Sequence, residues 1–350
     1  MSYPSGKTEK ARHTDWMRLE NIVALTNAKL LTSPEVSAFG EIRFDASRIK
    51  RGDVFVAIDP QDIDTALQNG AYAVIFDKPV QISDTETAWI KVENLEDALL
   101  RLLRFRLVEK EITAYACDDI ILELARGIDT EGEVVVVHEE ITELIKKLWH
   151  IESGATLLFS PSQTNADLFV NVKELPSVAS EKMEVIEKTL FECSFIFDDH
   201  YYERILLSPF FLPFLQRLLN FYKHRGFVYH LRRFDHLTHF EILFTNKNFE
   251  PKEFGSSEHV LIFEKDMQLF TEEIGFLTKH APWARTIYLL PNSHEVEPCE
   301  NCYYYSDTAS LFELLHSTPF HFALIGGVDK EILNESKSFT QPQQLTFDLL

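Results

Sequence analysis

Short apolar runs alternate with stretches of helical periodicity, and this alternation is the strongest constraint on how the chain can fold. Strands are predicted at 54–58, 72–76, 88–92, 112–117, 133–137 and 156–159, and helices at 62–69, 94–108, 118–126 and 139–150. Asn94 stands at a predicted N-cap and Gly70 at a predicted C-cap. The repeat predicts an α/β protein with mixed and parallel sheets flanked by helices.

The pattern changes at about residue 181, which predicts more than one domain. Further strands are expected at 240–244, 260–263, 286–290 and 320–325, and further helices at 16–31, 210–224, 267–280 and 308–317. The predicted organisation is a flexible tail at 1–20, a domain at 21–110, an α/β segment at 111–185, a second α/β domain at 186–335 and a tail at 336–350.

Glycine is scarce, with 12 residues in 350, and this limits where a phosphate-binding loop could form. No G-x-G-x-x-G dinucleotide fingerprint occurs. The one G-x-x-x-x-G, at 127–132, lacks the following Lys and Ser/Thr, contains two acids and precedes a predicted strand. The sequence therefore predicts neither a dinucleotide site nor a P-loop there.

The net charge of −21 excludes the function classes that need a basic surface. Nucleic-acid binding and docking on anionic lipid both depend on clustered Lys and Arg. No apolar run is long enough to span a bilayer, and residues 1–10 contain no signal-peptide core. We expect a cytoplasmic protein without membrane insertion, and no cofactor is predicted.

One segment resembles the amino-terminal domain of the Mur ligases, the ATP-dependent enzymes that add amino acids to the UDP-linked muramic acid precursor of peptidoglycan. The resemblance begins with Phe44-Asp-Ala-Ser-Arg-Ile-Lys-Arg-Gly-Asp-Val-Phe-Val-Ala-Ile58. It continues with Ala66-Leu-Gln-Asn-Gly-Ala-Tyr-Ala-Val-Ile75 and Val92-Glu-Asn-Leu-Glu-Asp-Ala-Leu-Leu-Arg-Leu102. It covers about residues 21–110 and implies a shortened Mur-ligase-like arrangement.

The chain departs from the family at the positions that bind nucleotides. The family's Ser and Arg after Asp align with Ala46 and Ser47, so that Arg48 stands one residue late, and the family's Asp-Gly-His loop is missing. Where the family has a strand, a P-loop with Gly-Lys-Thr and a helix, the chain has Cys117-Asp118-Asp119. Without lysine and glycine, a degenerate or absent P-loop is expected, and ATP-driven ligation is not.

The resemblance also implies where a UDP sugar would bind if that property is kept. We expect Ser47 and Arg48 to carry it, together with Asn69 or Lys78. No metal ligands are predicted at this site.

The densest group of ionisable residues, at 230–241, supports a different hypothesis. Asp235, His236 and His239 could share one face and perform acid–base or metal-dependent chemistry. The alternative is an ordinary polar loop between two strands. Two further patterns are weak evidence for a functional site. Cys299 and Cys302 form a single CxxC, whereas a zinc site usually needs two such pairs. The acid pair Glu272-Glu273 is expected to be solvated.

The leading hypothesis from sequence is a non-catalytic relative of the Mur ligases that acts in peptidoglycan precursor synthesis as a binding or scaffolding protein. Its expected partners are a UDP-muramyl precursor or cell-wall enzymes. The alternative is an enzyme of unrelated chemistry centred on Asp235, His236 and His239.

Overall fold

Eight helices are found in the parts of the chain that the structure, a computed structural model, describes: residues 17–35, 38–177, 181–253, 256–294 and 300–333. They are α1 (Leu19–Thr26), α2 (Ile63–Gln68), α3 (Leu95–Glu109), α4 (Asp119–Arg126), α5 (Ile141–Trp149), α6 (Leu212–Arg225), α7 (Met267–His280) and α8 (Thr308–Ser317). Most of the predicted tail 1–20 and all of the predicted tail 336–350 lie outside the described residues.

The strands of the first half of the chain alternate with helices as predicted. They are β1 (Lys29–Leu30), β2 (Ile42–Arg43), β3 (Val54–Val56), β4 (Ala73–Phe76), β5 (Ala88–Lys91), β6 (Thr113–Ala116), β7 (Ile128–Asp129), β8 (Val134–Val136), β9 (Thr156–Phe159) and β10 (Val172–Glu174). The second half contains β11 (Glu184–Lys188), β12 (Cys193–Phe197), β13 (His200–Ile205), β14 (His230–Leu231), β15 (Glu241–Thr245), β16 (His259–Glu264), β17 (Thr286–Pro291), β18 (Cys302–Tyr305) and β19 (Phe322–Gly326).

The described chain divides into two compact units. The first contains the residues up to Cys117 together with Glu133–Glu174, and the second contains Asp118–Gly132 and the residues from Leu175 onward. The predicted segment 21–110 thus lies in the first unit.

Two sheets form the framework of the first unit. One has the order β1-β5-β4-β3-β2 and is parallel except for β1, which is antiparallel to β5. The other has the order β10-β6-β9-β8 and is parallel throughout. Strands β3, β4 and β9 are buried at every position, as expected of parallel strands covered on both faces. The apolar sides of α3 and α5 pack into the same core.

The second unit is built on a five-stranded mixed sheet of order β15-β16-β19-β17-β18. Only β15 is antiparallel to its neighbour. An antiparallel three-stranded sheet, β11-β12-β13, and a two-stranded pairing of β14 with β7 belong to the same unit, and α4 packs against α6. The predicted α/β class with mixed and parallel sheets flanked by helices is confirmed.

The first predicted helix is wrong at its carboxyl end. The periodicity of 16–31 predicted one helix, but α1 ends at Thr26 and Asn27 adopts a left-handed conformation with φ of 52°. Leu30 then pairs with Ile90 of β5. Strand pairing across the sheet outweighs local helical preference here. Trp16 lies outside the described residues.

A buried carboxylate fixes the loops around β2 and β3. Asp53 is 4% exposed, and its Oδ1 accepts a hydrogen bond from the backbone N of Glu41 at 3.0 Å. Its Oδ2 accepts from Arg43 Nε at 2.5 Å and from Lys50 N at 2.9 Å. One side chain therefore connects the loop before β2, the strand itself and the turn before β3.

The neighbouring glycines are required by backbone geometry. Gly52 and Gly70 have φ of +94° and +96°, and the N–H of Gly52 donates to the carbonyl of Gly70 at 3.0 Å. A Cβ at Gly70 would stand 3.1 Å from the Cα of Arg51. The Gly52-Asp53 and Gly70 positions of the family-like pattern thus serve the scaffold of the domain.

We expect Asp53→Ala to lower the free energy of unfolding by about 3 kcal/mol, because Arg43 loses a buried partner and two backbone N–H groups lose their acceptor. Urea unfolding followed by circular dichroism measures the change. Asp64→Ala, an exposed aspartate of α2, is the matched control and should change stability by less than about 0.5 kcal/mol. Equal unfolding midpoints for the two variants would contradict the role of Asp53.

Candidate functional site

The predicted ligand residues Ser47 and Arg48 lie on one short turn after β2. Residues Ala46–Arg48 form a single 3-10 turn whose N-cap is Asp45. The Asp45 carboxylate accepts from Ser47 N at 2.9 Å and from Ser47 Oγ at 2.6 Å. These hydrogen bonds from Ser47 lower the pKa of Asp45. The hydroxyl of Ser47 is therefore committed to the turn.

Asn69 lies beside Ser47 and Arg48, but its side chain is used to hold the turn at 46–48. Its Nδ2 donates to the carbonyl of Ala46 at 2.9 Å. Arg48 projects outward, with a side chain 80% exposed and its Nε 3.5 Å from Asp45 Oδ2. The cluster thus presents one guanidinium to solvent on a turn that Asn69 and Asp45 hold in place.

Lys78 lies at a different place on the same sheet. It follows β4, and its Nζ donates to the carbonyl of Ile58, which follows β3, at 3.0 Å. Both positions are at the carboxyl edge of parallel strands, where open α/β sheets bind ligands. In the described part of the chain, no hydrogen bond or ion pair joins Lys78 to the turn at 46–48. The structure brings Ser47, Arg48 and Asn69 together and places Lys78 at the strand ends.

The connection between β6 and α4 stands where the resemblance would place a P-loop. Only Cys117 and Asp118 lie between strand and helix. Cys117 is buried, and its N–H donates to the carbonyl of Phe159 at 3.0 Å, so the chain continues along β9. Asp118 Oδ2 accepts from Arg217 Nη1 at 3.0 Å. The helix therefore begins directly with acidic residues, without a wide loop before it.

The residues of the alternative hypothesis are held by different partners. His236 Nε2 lies 2.8 Å from the carbonyl oxygen of Glu123, and His239 Nδ1 lies 2.9 Å from Glu264 Oε1. Asp235 is exposed. Within the described ranges no group of three His, Cys, Asp or Glu side chains is arranged to hold a metal ion. The two histidines thus each contact a separate glutamate of the second unit.

Glu264, at the end of β16, is a buried acceptor that the sequence analysis did not single out. It is fully buried, and besides His239 it accepts from the backbone N of Phe240 at 3.0 Å and of Asp266 at 2.8 Å. Burial alone would lower the pKa of His239, but the hydrogen bond and charge of Glu264 raise it above its usual value. An acid that directly follows the apolar run of a strand is the signal that could have revealed this residue.

Glu273 corrects the expectation that the acid pair at 272–273 is solvated. Glu272 is exposed, but Glu273 is fully buried in α7. Burial, and then the nearby charge of Glu264, raise the pKa of Glu273 well above its usual value. Its spacing from Phe270 and Leu277 places it on the buried face of the helix, a periodicity visible in the sequence.

Two cations line a cavity of about 360 Å³ in the first unit. Arg106 Nε donates to the carbonyl of Trp149 at 2.7 Å, and Lys110 Nζ donates to that of Ile151. Burial lowers the pKa of both side chains. Arg106 and Lys110 bind carbonyl groups at the carboxyl end of α5, where cations stabilise a helix, so both side chains support the fold.

The CxxC pattern is only half covered by the structure. Cys302 begins β18, and Cys299 lies outside the described residues. Cys117 and Cys193 are buried free thiols, and burial raises the pKa of Cys193 to about 11. A thiol with so high a pKa is a poor nucleophile.

Comparison with solved structures finds similar folds among the Mur ligases. A MurF ligase from Thermotoga maritima in complex with ADP is 12% identical, with a TM-score of 0.47, over 84% of this chain and 95% of that chain. The D-alanyl-D-alanyl-adding ligase of Acinetobacter baumannii is 10% identical, with a TM-score of 0.46, over 92% and 97%. No family model and no curated protein sequence matches the chain. The case for function therefore rests on this chain's own residues.

Within the described ranges no helix has both the length and the apolar character needed to cross a bilayer.

We expect Glu273→Gln to stabilise the protein increasingly as the pH rises. The folded-state pKa of Glu273 is raised, so the proton it retains stabilises the fold fully below about pH 4.5, and this contribution is lost as the pH rises toward the folded pKa. Glutamine cannot ionise and removes this loss. Thermal unfolding at about pH 5 and about pH 8 should show a larger gain at the higher pH.

The exposed Glu313 of α8 is the control for this experiment. Glu313→Gln should change stability by less than about 0.5 kcal/mol, because substitutions of exposed side chains have small effects. A gain for Glu273→Gln that is the same at both pH values would show that the residue does not retain its proton in the fold.

Proposed function

We propose that this chain is a non-catalytic relative of the Mur ligases that binds a UDP-muramyl precursor or scaffolds cell-wall enzymes in the cytoplasm. The single observation that carries the proposal is the connection between β6 and α4. It consists of Cys117 and Asp118, with neither glycine nor lysine, at the position where the resemblance requires a P-loop.

Electrostatics at the start of α4 support the absence of ATP chemistry. A P-loop neutralises phosphate charge with a lysine and with backbone N–H groups. Here the start of α4 carries carboxylates and no lysine, and a unit charge on a phosphate 4 Å from the Asp119 carboxylate would be repelled by about 1 kcal/mol in water. Asp118 already has a partner in Arg217.

The retained scaffold supports the binding half of the proposal. Asp53, Gly52 and Gly70 hold the loops of the family-like segment, and Asp45 and Asn69 hold the turn that presents Arg48. An exposed guanidinium on a fixed turn suits a diphosphate, because Arg forms paired hydrogen bonds with phosphate oxygens. Lys78 supplies a second cation at the carboxyl edge of the same sheet.

No specific observation favours the alternative enzyme. His236 and His239 contact separate glutamates, and Asp235 joins neither of them among the described residues.

Calorimetric titration of the purified chain with a UDP-muramyl peptide, and separately with ATP–Mg²⁺, tests the proposal. We expect binding of the sugar nucleotide at about micromolar affinity, near −8 kcal/mol, and no binding of ATP. Hydrolysis of ATP in the presence of the precursor would contradict the non-catalytic assignment.

Arg48→Ala should weaken the affinity for the UDP-muramyl peptide by at least about tenfold, since a hydrogen bond to a charged group contributes roughly 1.5–3 kcal/mol. Arg101→Ala, an exposed arginine of α3, is the matched control and should leave affinity unchanged. Unchanged affinity in Arg48→Ala would remove this residue from the site.

A further inference from the structure

Two adjoining cavities lie in the second unit, and no residue used in the proposed function lines either of them among the described residues. Their volumes are about 650 and 320 Å³. Four residues line both cavities: Lys188, Pro209, Phe276 and His280. The smaller volume is close to the lower end, about 300 Å³, of the range for small-molecule sites.

Aromatic side chains form the walls of the smaller cavity. Phe191 and Trp283 each stand edge-on to Phe322, with ring centroids 5.9 and 5.7 Å apart. Phe276 lies 4.7 Å from the His280 ring, measured between centroids. Such walls offer both faces and edges to a flat ring, the two arrangements that aromatic pairs prefer.

Trp283 is the exceptional member of this set. It is 70% exposed, on the loop that follows α7. A tryptophan left in water at the mouth of an aromatic cavity has most of its apolar surface uncovered. Contiguous exposed apolar surface marks binding sites, whereas apolar residues scattered singly do not, and Trp283 continues the aromatic wall through its contact with Phe322.

The charged side chain that lines the smaller cavity is a cation, Lys188, while Glu187 and Glu192 line a neighbouring cavity that shares Lys188 with it. Among the residues that the structure describes, no carboxylate lines the smaller cavity, although the chain has 55 acidic and 34 basic residues. Lys188, at the end of β11, is exposed and makes no ion pair in the described part of the chain. Glu272 lines only the larger cavity. Burial, and then the charges of Lys188 and Lys279, lower the pKa of His280, so the ammonium of Lys188 carries the positive charge at neutral pH.

We propose that the smaller cavity binds a small molecule consisting of an aromatic ring that carries an anionic group such as a carboxylate. The ring packs against Phe276 and Trp283, and the anion lies at Lys188. Both parts follow from what lines the cavity: apolar rings over most of its wall and one cation at its edge.

Titration of the full chain with indole-3-acetate, followed by NMR of the histidine side chains, tests the proposal. The His280 signal should shift on binding, and its pKa should rise because an anion close to the imidazole offsets Lys188 and Lys279. Indole alone and acetate alone should bind at least about tenfold more weakly, since each lacks one half of the interaction. Equal binding of indole would overturn the role of the charge, and no shift with any of the three would overturn the site.

Matched variants distinguish residues that contact the ligand from residues whose charge acts on it only at a distance. Lys188→Gln and Trp283→Ala should each weaken indole-3-acetate binding by about tenfold. Lys279→Gln also removes a charge that lowers the pKa of His280, but Lys279 does not line the cavity, so affinity should stay within about twofold. Tyr304→Ala, another exposed aromatic residue of the second unit, should have no effect.

Equal losses in Lys188→Gln and Lys279→Gln, or unchanged affinity in Trp283→Ala, would contradict the proposal. Because Trp283 and Lys188 are both exposed, their variants should unfold at the same temperature as the parent chain, which excludes misfolding as the cause of a loss. The outcome is independent of the titration with UDP-muramyl peptide, which concerns residues of the first unit.

Discussion

The cost of burying a carboxylate determines how the loops of this protein are arranged. An acid taken out of water must have its oxygens hydrogen-bonded or keep a proton. Asp53 and Glu264 follow the first course, each with three donors on its two oxygens. For Glu273, burial raises the pKa, which favours the protonated form. The loops that lead to the candidate residues, at 40–53 in one unit and 236–240 in the other, are held in place by these acceptors.

Much of the fold could be predicted because periodicity and capping act locally. The strand at 156–159 and the helices at 267–280 and 308–317 have the predicted bounds, and Asn94 caps α3 through its contact with the backbone N of Asp97. The helix predicted at 16–31 failed because Leu30 pairs with a strand about sixty residues away. Long-range pairing of this kind leaves no local signal in the sequence.

The candidate site was predictable in position more than in role. The family-like pattern located the turn at 46–48 and Asn69, but the pattern does not distinguish a residue that binds a ligand from one that shapes a loop. Asn69 donates to Ala46 and Ser47 to Asp45, so both shape the turn, and Arg48 alone projects from it. Glu123 was missed altogether, because its role as acceptor for Thr238 joins residues more than a hundred positions apart.

The division into units has a consequence for how the chain can be dissected. The backbone leaves the first unit after Cys117, returns at Glu133 and leaves again after Glu174. The excursion at 118–132 supplies α4, which packs on α6, and β7, which pairs with β14. Neither unit can therefore be expressed as one uninterrupted piece. During synthesis, α4 emerges from the ribosome long before its partner α6, which lies some ninety residues later in the chain. The strongly apolar face of α4 therefore stays unpaired with α6 until those residues have been made.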